Sequence, residues 1–146
     1  KQTVKQMRIS QYIIDTFHSS RCSCIILKAD GTITECHRRG VIDLYELLIT
    51  DKHTLEGAAI ADKVVGKGAA AIMAAGKVSD LYADVISKDA LSLLAQHGIA
   101  TNHGKCVDYI VNRQGNGRCP VETLCIEETS VQTMIMKIGD FIISKH

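Results

Sequence analysis

The sequence contains few aromatic or rigid residues: no tryptophan, one proline, four tyrosines and two phenylalanines. Proteins that hold single-stranded nucleic acid usually stack its bases on aromatic side chains, so the composition disfavours that function. The rest of the composition, 46% hydrophobic and 23% charged residues in a chain of 146, is that of an ordinary globular protein. We therefore expect one domain with a packed core over residues 1–146.

A surplus of charge of one sign is also missing. Lysine and arginine number 17 and aspartate and glutamate 16, for a formal net charge of +1. The chain lacks the basic character of a protein that binds long nucleic acid, although a local basic pocket is compatible with it. No run of about 18 apolar residues occurs, which predicts no membrane span. No apolar signal-peptide run follows the first residues, so we expect a cytoplasmic protein.

Metal-ligand spacings are absent as well. The cysteines at positions 22, 24, 36, 106, 119 and 125 form no C-x-x-C pair and no zinc knuckle. The histidines at positions 18, 37, 53, 97, 103 and 146 pair with no second ligand at metal spacing. We therefore expect reduced, mostly buried cysteines and no bound zinc. Cys22 and Cys24 alternate in an apolar run, which predicts that they face the same side of a strand.

Hydrophobic spacing predicts helix, hairpin and helix, followed by alternating strands and helices. An amphipathic helix over 4–18 lies in an N-terminal region 1–20, and a helix over 130–145 closes the chain. The core between them, 22–127, begins with a hairpin that turns at Asp30-Gly31. This order predicts an α/β domain, a three-layer α/β/α sandwich with a mixed sheet. Ligands of such sheets bind beyond the carboxyl ends of the strands.

A stripe of small and apolar residues from Val65 to Gly76 repeats at helical spacing. Asp62 has the chemistry of an N-cap for this helix, and Gly76 that of its stop. The Asp62 carboxylate is either a plain cap or a base and ligand anchor that faces the crevice. Lys63 and Lys67, one turn apart in the expected helix, are either exposed lysines or a cation pair for a phosphate or carboxylate.

Two further helix starts carry candidate binding residues. Ser87 is a natural N-cap of the next helix, which is expected to stop at Gly98. The glycine-rich loop from Asn112 to Arg118 lies directly before a helix start. Backbone N–H groups in such a loop predict an anion site, to which Arg113 adds a bidentate guanidinium.

The helix start Cys119-Pro120 follows that loop. A thiol at a helix N-terminus beside Arg118 has a stabilised thiolate, so Cys119 is a candidate nucleophile, with a cap or small filler as the alternative. Glu122, at the third helical position, is expected to close a capping box. Acid–base partnership with Cys119 is the alternative role of Glu122.

Two segments resemble a small bacterial family of unknown function whose fold is similar to that of cytidine deaminases: Gly57-Ala58-Ala59-Ile60-Ala61-Asp62-Lys63-Val64-Val65-Gly66-Lys67 and Asn112-Arg113-x-Gly-x-Gly-x-Cys119-Pro120-x-Glu122. The resemblance covers the core, residues 22–127. It implies a deaminase-like fold and favours a functional role for Asp62. Because the family pattern keeps Arg39-Gly40, it also favours a binding role for Arg39.

The sequence departs from the deaminases at the zinc motifs. Those enzymes hold zinc through a [His/Cys]-x-Glu turn and a Pro-Cys-x-x-Cys turn, each of which opens a helix. The corresponding helix starts here, Ala61-Asp62-Lys63 and Ser87-Lys88-Asp89, contain neither cysteine nor histidine. Aligning Cys119-x-x-Glu122 with the second motif would leave an extra strand, helix and strand between the two motifs. The zinc-free alignment is therefore preferred.

We therefore expect a zinc-free, deaminase-like protein that binds a small nucleotide-like or phosphate-bearing molecule. Its expected site residues are the catalytic candidates Asp62, Cys119 and Glu122 and the ligand-binding candidates Arg39, Lys63, Lys67, Ser87, Asn112 and Arg113. The alternatives are a non-catalytic sensor and an oligomeric interaction module that pairs through the small-residue helix face. Substrate turnover separates the first two readings, and a concentration-dependent mass identifies the third.

Overall fold

A computed structural model describes residues 10–38, 40–112 and 114–145 of the chain. The strands are β1 (Cys24–Leu27), β2 (Ile33–Cys36), β3 (Ala59–Val65), β4 (Asp80–Ser87) and β5 (Ala100–Val107). The helices are α1 (Gln11–Ser19), α2 (Ile42–Thr50), α3 (Lys67–Gly76), α4 (Lys88–Gln96), α5 (Pro120–Cys125) and α6 (Val131–Ser144). A short 3₁₀ turn, Lys52–Thr54, follows α2.

The five strands form one mixed sheet in the order β2-β1-β3-β4-β5. β1 is antiparallel to both of its neighbours, while β3, β4 and β5 run parallel to one another. The predicted hairpin is confirmed: Gly31 has a φ of 95°, which glycine adopts without strain, and Asp30 accepts hydrogen bonds from Thr32. The α/β architecture with a mixed sheet is therefore as the sequence predicts.

Helices cover the two faces of the sheet unequally. Successive strand residues point to opposite faces, so Ile26 and Ile60 join the main core with residues of α2 to α6. Ile25 and Ala61 face the other way and pack in a smaller cluster with Phe17 of α1. The carboxyl ends of β3 and β4 therefore lead into helices on the well-covered face.

The start of α3 differs from the prediction. Asp62 is not an N-cap, because β3 continues to Val65 and Gly66 precedes the first helical residue. Asp62 lies within the strand, opposite Cys24 of β1 and Ala83 of β4. Pairing with strands on both sides extends β3 past the residue that local capping chemistry would select. Lys63 and Lys67 accordingly lie in a strand and a helix, not one turn apart on one helix.

The small-residue face of α3 lies inside the fold. A Cβ added at Gly68 would meet Cγ1 of Val121 in α5 at 2.5 Å, and one added at Gly76 would meet Leu55 at 2.8 Å. The stripe therefore lets α5 and Leu55 approach the helix closely. This face is not available as the oligomer interface that the sequence had suggested. α3 ends at Gly76, and Lys77 adopts the left-handed conformation after it, with a φ of 62°.

The terminal helices agree with the predictions where the structure describes them. α1 begins after Ser10, whose side chain accepts a hydrogen bond from the N–H of Ile13. The first part of the helix predicted over 4–18 falls on residues 4–9, which lie outside the described residues. α6 is capped in the same way by Ser130. The expectation that Cys22 and Cys24 face one side is wrong: Cys22 precedes β1 and packs in the α1 cluster, whereas Cys24 lies in the main core.

Candidate functional site

A cleft of about 670 Å³ opens where β3 runs into α3. One wall is formed by the end of β3 and the first turn of α3, and another by the segment after β5 together with α5. The ends of the β1–β2 hairpin close the remaining side. Of the predicted site residues, the cleft brings together Asp62, Lys63, Asn112, Cys119 and Glu122. Arg39 and Arg113 lie outside the described residues.

Asp62 is the most unusual titratable group of the cleft. Burial raises the pKa of its carboxyl from 3.8 to about 7, and the nearby Asp84 adds to this. The backbone N–H groups of Lys63 and Val64 and the Lys63 charge act in the opposite direction. No side chain within 10–38, 40–112 and 114–145 lies at ion-pair distance from Asp62. Asp62 can therefore both hold and release a proton near neutral pH.

Two buried thiols lie in the sheet next to Asp62. Cys24 lies opposite Asp62 on β1 and opposite Cys36 on β2. A hydrogen bond with Cys36, burial and the Asp62 carboxylate raise the pKa of the Cys24 thiol far above its ordinary value. The two cysteines are 3% and 4% exposed, so we expect their thiols to be unreactive in the folded protein.

Glu122 lines the cleft but is only 2% exposed. Its Oε1 accepts a hydrogen bond from the N–H of Ile110 at 2.7 Å, and its Oε2 accepts one from the N–H of Lys67 at 2.9 Å. The Ser87 hydroxyl also donates to Oε2. The predicted capping box is wrong, because the N–H of Cys119 donates to the Ile110 carbonyl and the carboxylate serves other elements. Both Glu122 oxygens are thus engaged inside the fold.

Two predicted ligand contacts are used inside the fold. Ser87 is fully buried and caps α4, as predicted, by accepting a hydrogen bond from the N–H of Ala90 at 3.2 Å. The Nζ of Lys67 donates to the carbonyls of Ile126 at 2.8 Å and Glu128 at 2.9 Å. Neither residue lines the cleft.

Free donors remain in the first turn of α3. Gly68 and Ala69 line the cleft, and within the described ranges their backbone N–H groups have no acceptor. Unpaired N–H groups at a helix start favour anions. Of the three predicted helix starts, that of α4 does not line the cleft, whereas α3 contributes Gly68 and Ala69 to its lining.

The glycine-rich loop borders the cleft through Asn112. The N–H of Asn112 donates to the carbonyl of Gly117 at 2.8 Å. The Asn112 side chain accepts from the N–H of Asn116 at 3.2 Å and donates to the Asn116 side chain at 3.0 Å. The hydrogen bonds of Asn112 therefore hold the loop closed. A ligand in the cleft would contact the part of Asn112 that lines it.

Cys119 is the residue before α5, as predicted, and is half-buried at the cleft wall. Its thiol makes no capping hydrogen bond. The Arg118 guanidinium lies over the Tyr109 ring, 4.1 Å from its centre. Arg118 is therefore engaged with an aromatic ring.

On the hairpin side of the cleft, sequence reasoning named Arg39 but missed the lining residues Arg21, Ser23, His37 and Val41. These residues lie just before β1 and just after β2, next to Asp62 only because β1 pairs with β3. The one signal in the sequence was the hairpin itself, whose open end had to meet a neighbouring strand.

Within the described parts of the chain, no group of three or more His, Cys, Asp or Glu side chains has the geometry to hold a metal ion. None of the described helices is both long and apolar enough to cross a bilayer.

Fold and site together define an α/β protein with a mixed sheet and a cleft at the carboxyl edge of its parallel strands. The family model described as "TM1506: Domain of unknown function (DUF1893)" matches residues 12–142, so the chain belongs to the DUF1893 family. The expectation of a family of unknown function is thereby confirmed.

The chain is similar to the crystal structure of a DUF1893 family protein from Thermotoga maritima. The TM-score is 0.81 at 24% identity, and the match covers 99% of this chain and 97% of that one. At this identity the likeness concerns the fold alone. No curated protein matches the chain.

Proposed function

We propose that the cleft binds a small nucleotide-like or phosphate-bearing molecule without the help of zinc. The observation that carries the proposal is the meeting of two kinds of group in one space of about 670 Å³: the Asp62 carboxyl and the free N–H groups of Gly68 and Ala69. The volume is that of an ordinary small-molecule site.

The anionic part of the ligand would bind at the start of α3. A helix N-terminus attracts phosphate through its N–H groups and its dipole. Gly68 and Ala69 line the cleft, so the first turn of α3 is the part of its wall that the anion would contact. Lys63, exposed at the same wall, adds a positive charge, and Arg113 is proposed to add another.

The uncharged part of the ligand would lie along aliphatic side chains. Val41, Val64, Ile110 and Val121 line the cleft, whereas no tyrosine or phenylalanine does so among the described residues. A base would therefore be held by aliphatic contacts and hydrogen bonds, with Asp62 as the polar group within reach, and its affinity would be modest.

A relationship to the cytidine deaminases is part of this proposal. An antiparallel hairpin followed by three parallel strands, with α3 and α4 starting at one edge, is what a deaminase-like core requires. In the place where deaminases need thiolates or imidazoles, the starts of α3 and α4 are joined by the Glu122 carboxylate. The Lys67 N–H and the Ser87 hydroxyl favour an anion there, which supports a zinc-free protein.

Two roles, an enzyme and a non-catalytic sensor, fit the proposed cleft. An enzyme would use Asp62, whose pKa suits proton transfer at neutral pH, with Cys119 as a further reactive group. A non-catalytic sensor would use the same cleft without turnover. Conversion of a bound ligand distinguishes them. We further propose that the protein is cytoplasmic. We also propose that it self-associates through a surface other than the small-residue face of α3, which a measurement of molecular mass at several protein concentrations tests.

A thermal-shift screen of nucleoside monophosphates, dinucleotides and sugar phosphates tests the proposal. A ligand at about 100 times its Kd should raise the Tm by roughly 3–6 °C. Lys63→Ala and Arg113→Ala should reduce the shift, while the control Lys52→Ala, at an exposed site outside the cleft, should keep it. Absence of any shift at millimolar ligand, or equal shifts in all variants, would contradict the proposal.

A further inference from the structure

The short helix α5 forms one wall of the cleft, and the structure ties both of its ends to one residue of α3. Glu122, in the first turn of α5, accepts a hydrogen bond from the N–H of Lys67. The Lys67 ammonium reaches past the other end of the helix to the carbonyls of Ile126 and Glu128. The backbone N–H of Lys67 thus binds the Glu122 side chain in the first turn of α5, and its ammonium binds backbone carbonyls just after the last turn.

These contacts supply stability that a helix of six residues does not have by itself. Such a helix is too short to be stable alone, so its position must come from tertiary contacts. Val121 packs directly on Gly68, with no room for a Cβ between them. On the inner side Cys125 is fully buried in the main core.

We propose that Lys67 and Glu122 are positioning residues of the cleft: they dock α5 onto the first turn of α3, and loss of either releases α5 while the sheet stays folded. Neither side chain acts on the ligand through a free polar group, since both are engaged inside the fold. Their effect on the cleft comes through the wall residues Cys119 and Val121. Only the consequence for ligand binding rests on the proposed function.

Thiol labelling of the intact protein, followed by mass mapping, tests the docking directly. Cys125 reports on α5, because docking hides it and burial raises the pKa of its thiol to about 11. Cys22, buried on the other face of the sheet beside α1, reports on global unfolding. The ratio of the two labelling rates separates release of α5 from general loss of stability.

In Lys67→Met, which keeps the aliphatic stem, the labelling of Cys125 should rise about tenfold or more relative to Cys22. Glu122→Gln should act in the same direction, since the NH2 group that replaces one carboxylate oxygen is a donor and can accept from neither the Lys67 nor the Ile110 N–H. Two variants serve as controls. Lys88→Met removes an exposed ion pair with Asp108 and should leave both labelling rates unchanged. Gly76→Ala strains the far end of α3 against Leu55 and should leave the ratio of the two labelling rates unchanged.

A second measurement concerns the ligand. With a nucleoside monophosphate as the probe, Lys67→Met should bind about tenfold more weakly than wild type or Lys88→Met. Equal rises of Cys125 and Cys22 labelling, or unchanged Cys125 labelling, would overturn the docking role. Unchanged affinity in a variant with exposed Cys125 would overturn the positioning role. If wild type binds none of these nucleotides, the proposed function fails, and the labelling result still decides how α5 is docked.

Discussion

Glu122 and Asp62 are both carboxylates of the cleft wall, but their surroundings differ. Glu122 receives hydrogen bonds from Lys67, Ser87 and Ile110, which belong to different elements. Asp62 has the N–H groups of the next two residues and no ion-pair partner among the described side chains. Glu122, with its donors supplied, stabilises the fold, whereas Asp62, half-buried and without a cation beside it, is available to a ligand.

The largest effect on stability is expected from removing the Glu122 carboxylate. Glu122→Ala leaves two backbone N–H groups and a hydroxyl without their acceptor, which should lower the free energy of unfolding by about 3 kcal/mol. Urea unfolding measures it. Glu127→Ala, an exposed position just beyond α5, is the matched control and should change stability by less than about 0.5 kcal/mol. Similar small losses in both variants would show that the Glu122 junction does not hold the fold.

The second prediction concerns Asp62, whose ionisation should destabilise the folded protein as the pH rises. Its folded pKa of about 7 exceeds the 3.8 of the unfolded chain, so its contribution to stability is fully present below pH 3.8 and is lost as pH rises through 7. Asp62→Asn removes the charge and should stabilise the protein by about 2 kcal/mol at alkaline pH, with little effect under acid conditions. Denaturant unfolding across pH, with the exposed Asp140→Asn as control, measures this. A variant that loses stability most at alkaline pH would contradict the assignment.

The two carboxylates also mark what the sequence could predict. Local signals were sufficient for the hairpin at Gly31, the Ser87 cap and the proline start of α5, because each depends on neighbouring residues. The end of β3 was misplaced, since Asp62 is a good cap in isolation but is held in the strand by partners on β1 and β4. The partners of Glu122 lie 12, 35 and 55 residues away, and no local pattern indicates such contacts.

A smaller effect separates the cysteines by position. Cys106 is exposed and Cys119 half-buried, whereas Cys22 is fully buried and Cys24 nearly so. Brief iodoacetamide treatment at neutral pH should therefore modify Cys106 and Cys119 well before the other two. Peptide mass mapping gives the order. Modification of Cys22 or Cys24 ahead of Cys119 would contradict both the burial and the candidate role of Cys119.

The central claim, that the first turn of α3 is an anion site open to the cleft, is tested most directly by amide NMR. Titration with a nucleoside monophosphate should shift the N–H signals of Gly68 and Ala69 along one saturable curve. The N–H of Ala90, which the Ser87 side chain already caps, should stay in place. Lys63→Ala should weaken the binding without moving the site. Shifts at Gly68 and Ala69 that saturate while Ala90 is unchanged are the predicted result; unchanged Gly68 and Ala69 signals at millimolar nucleotide would contradict the account.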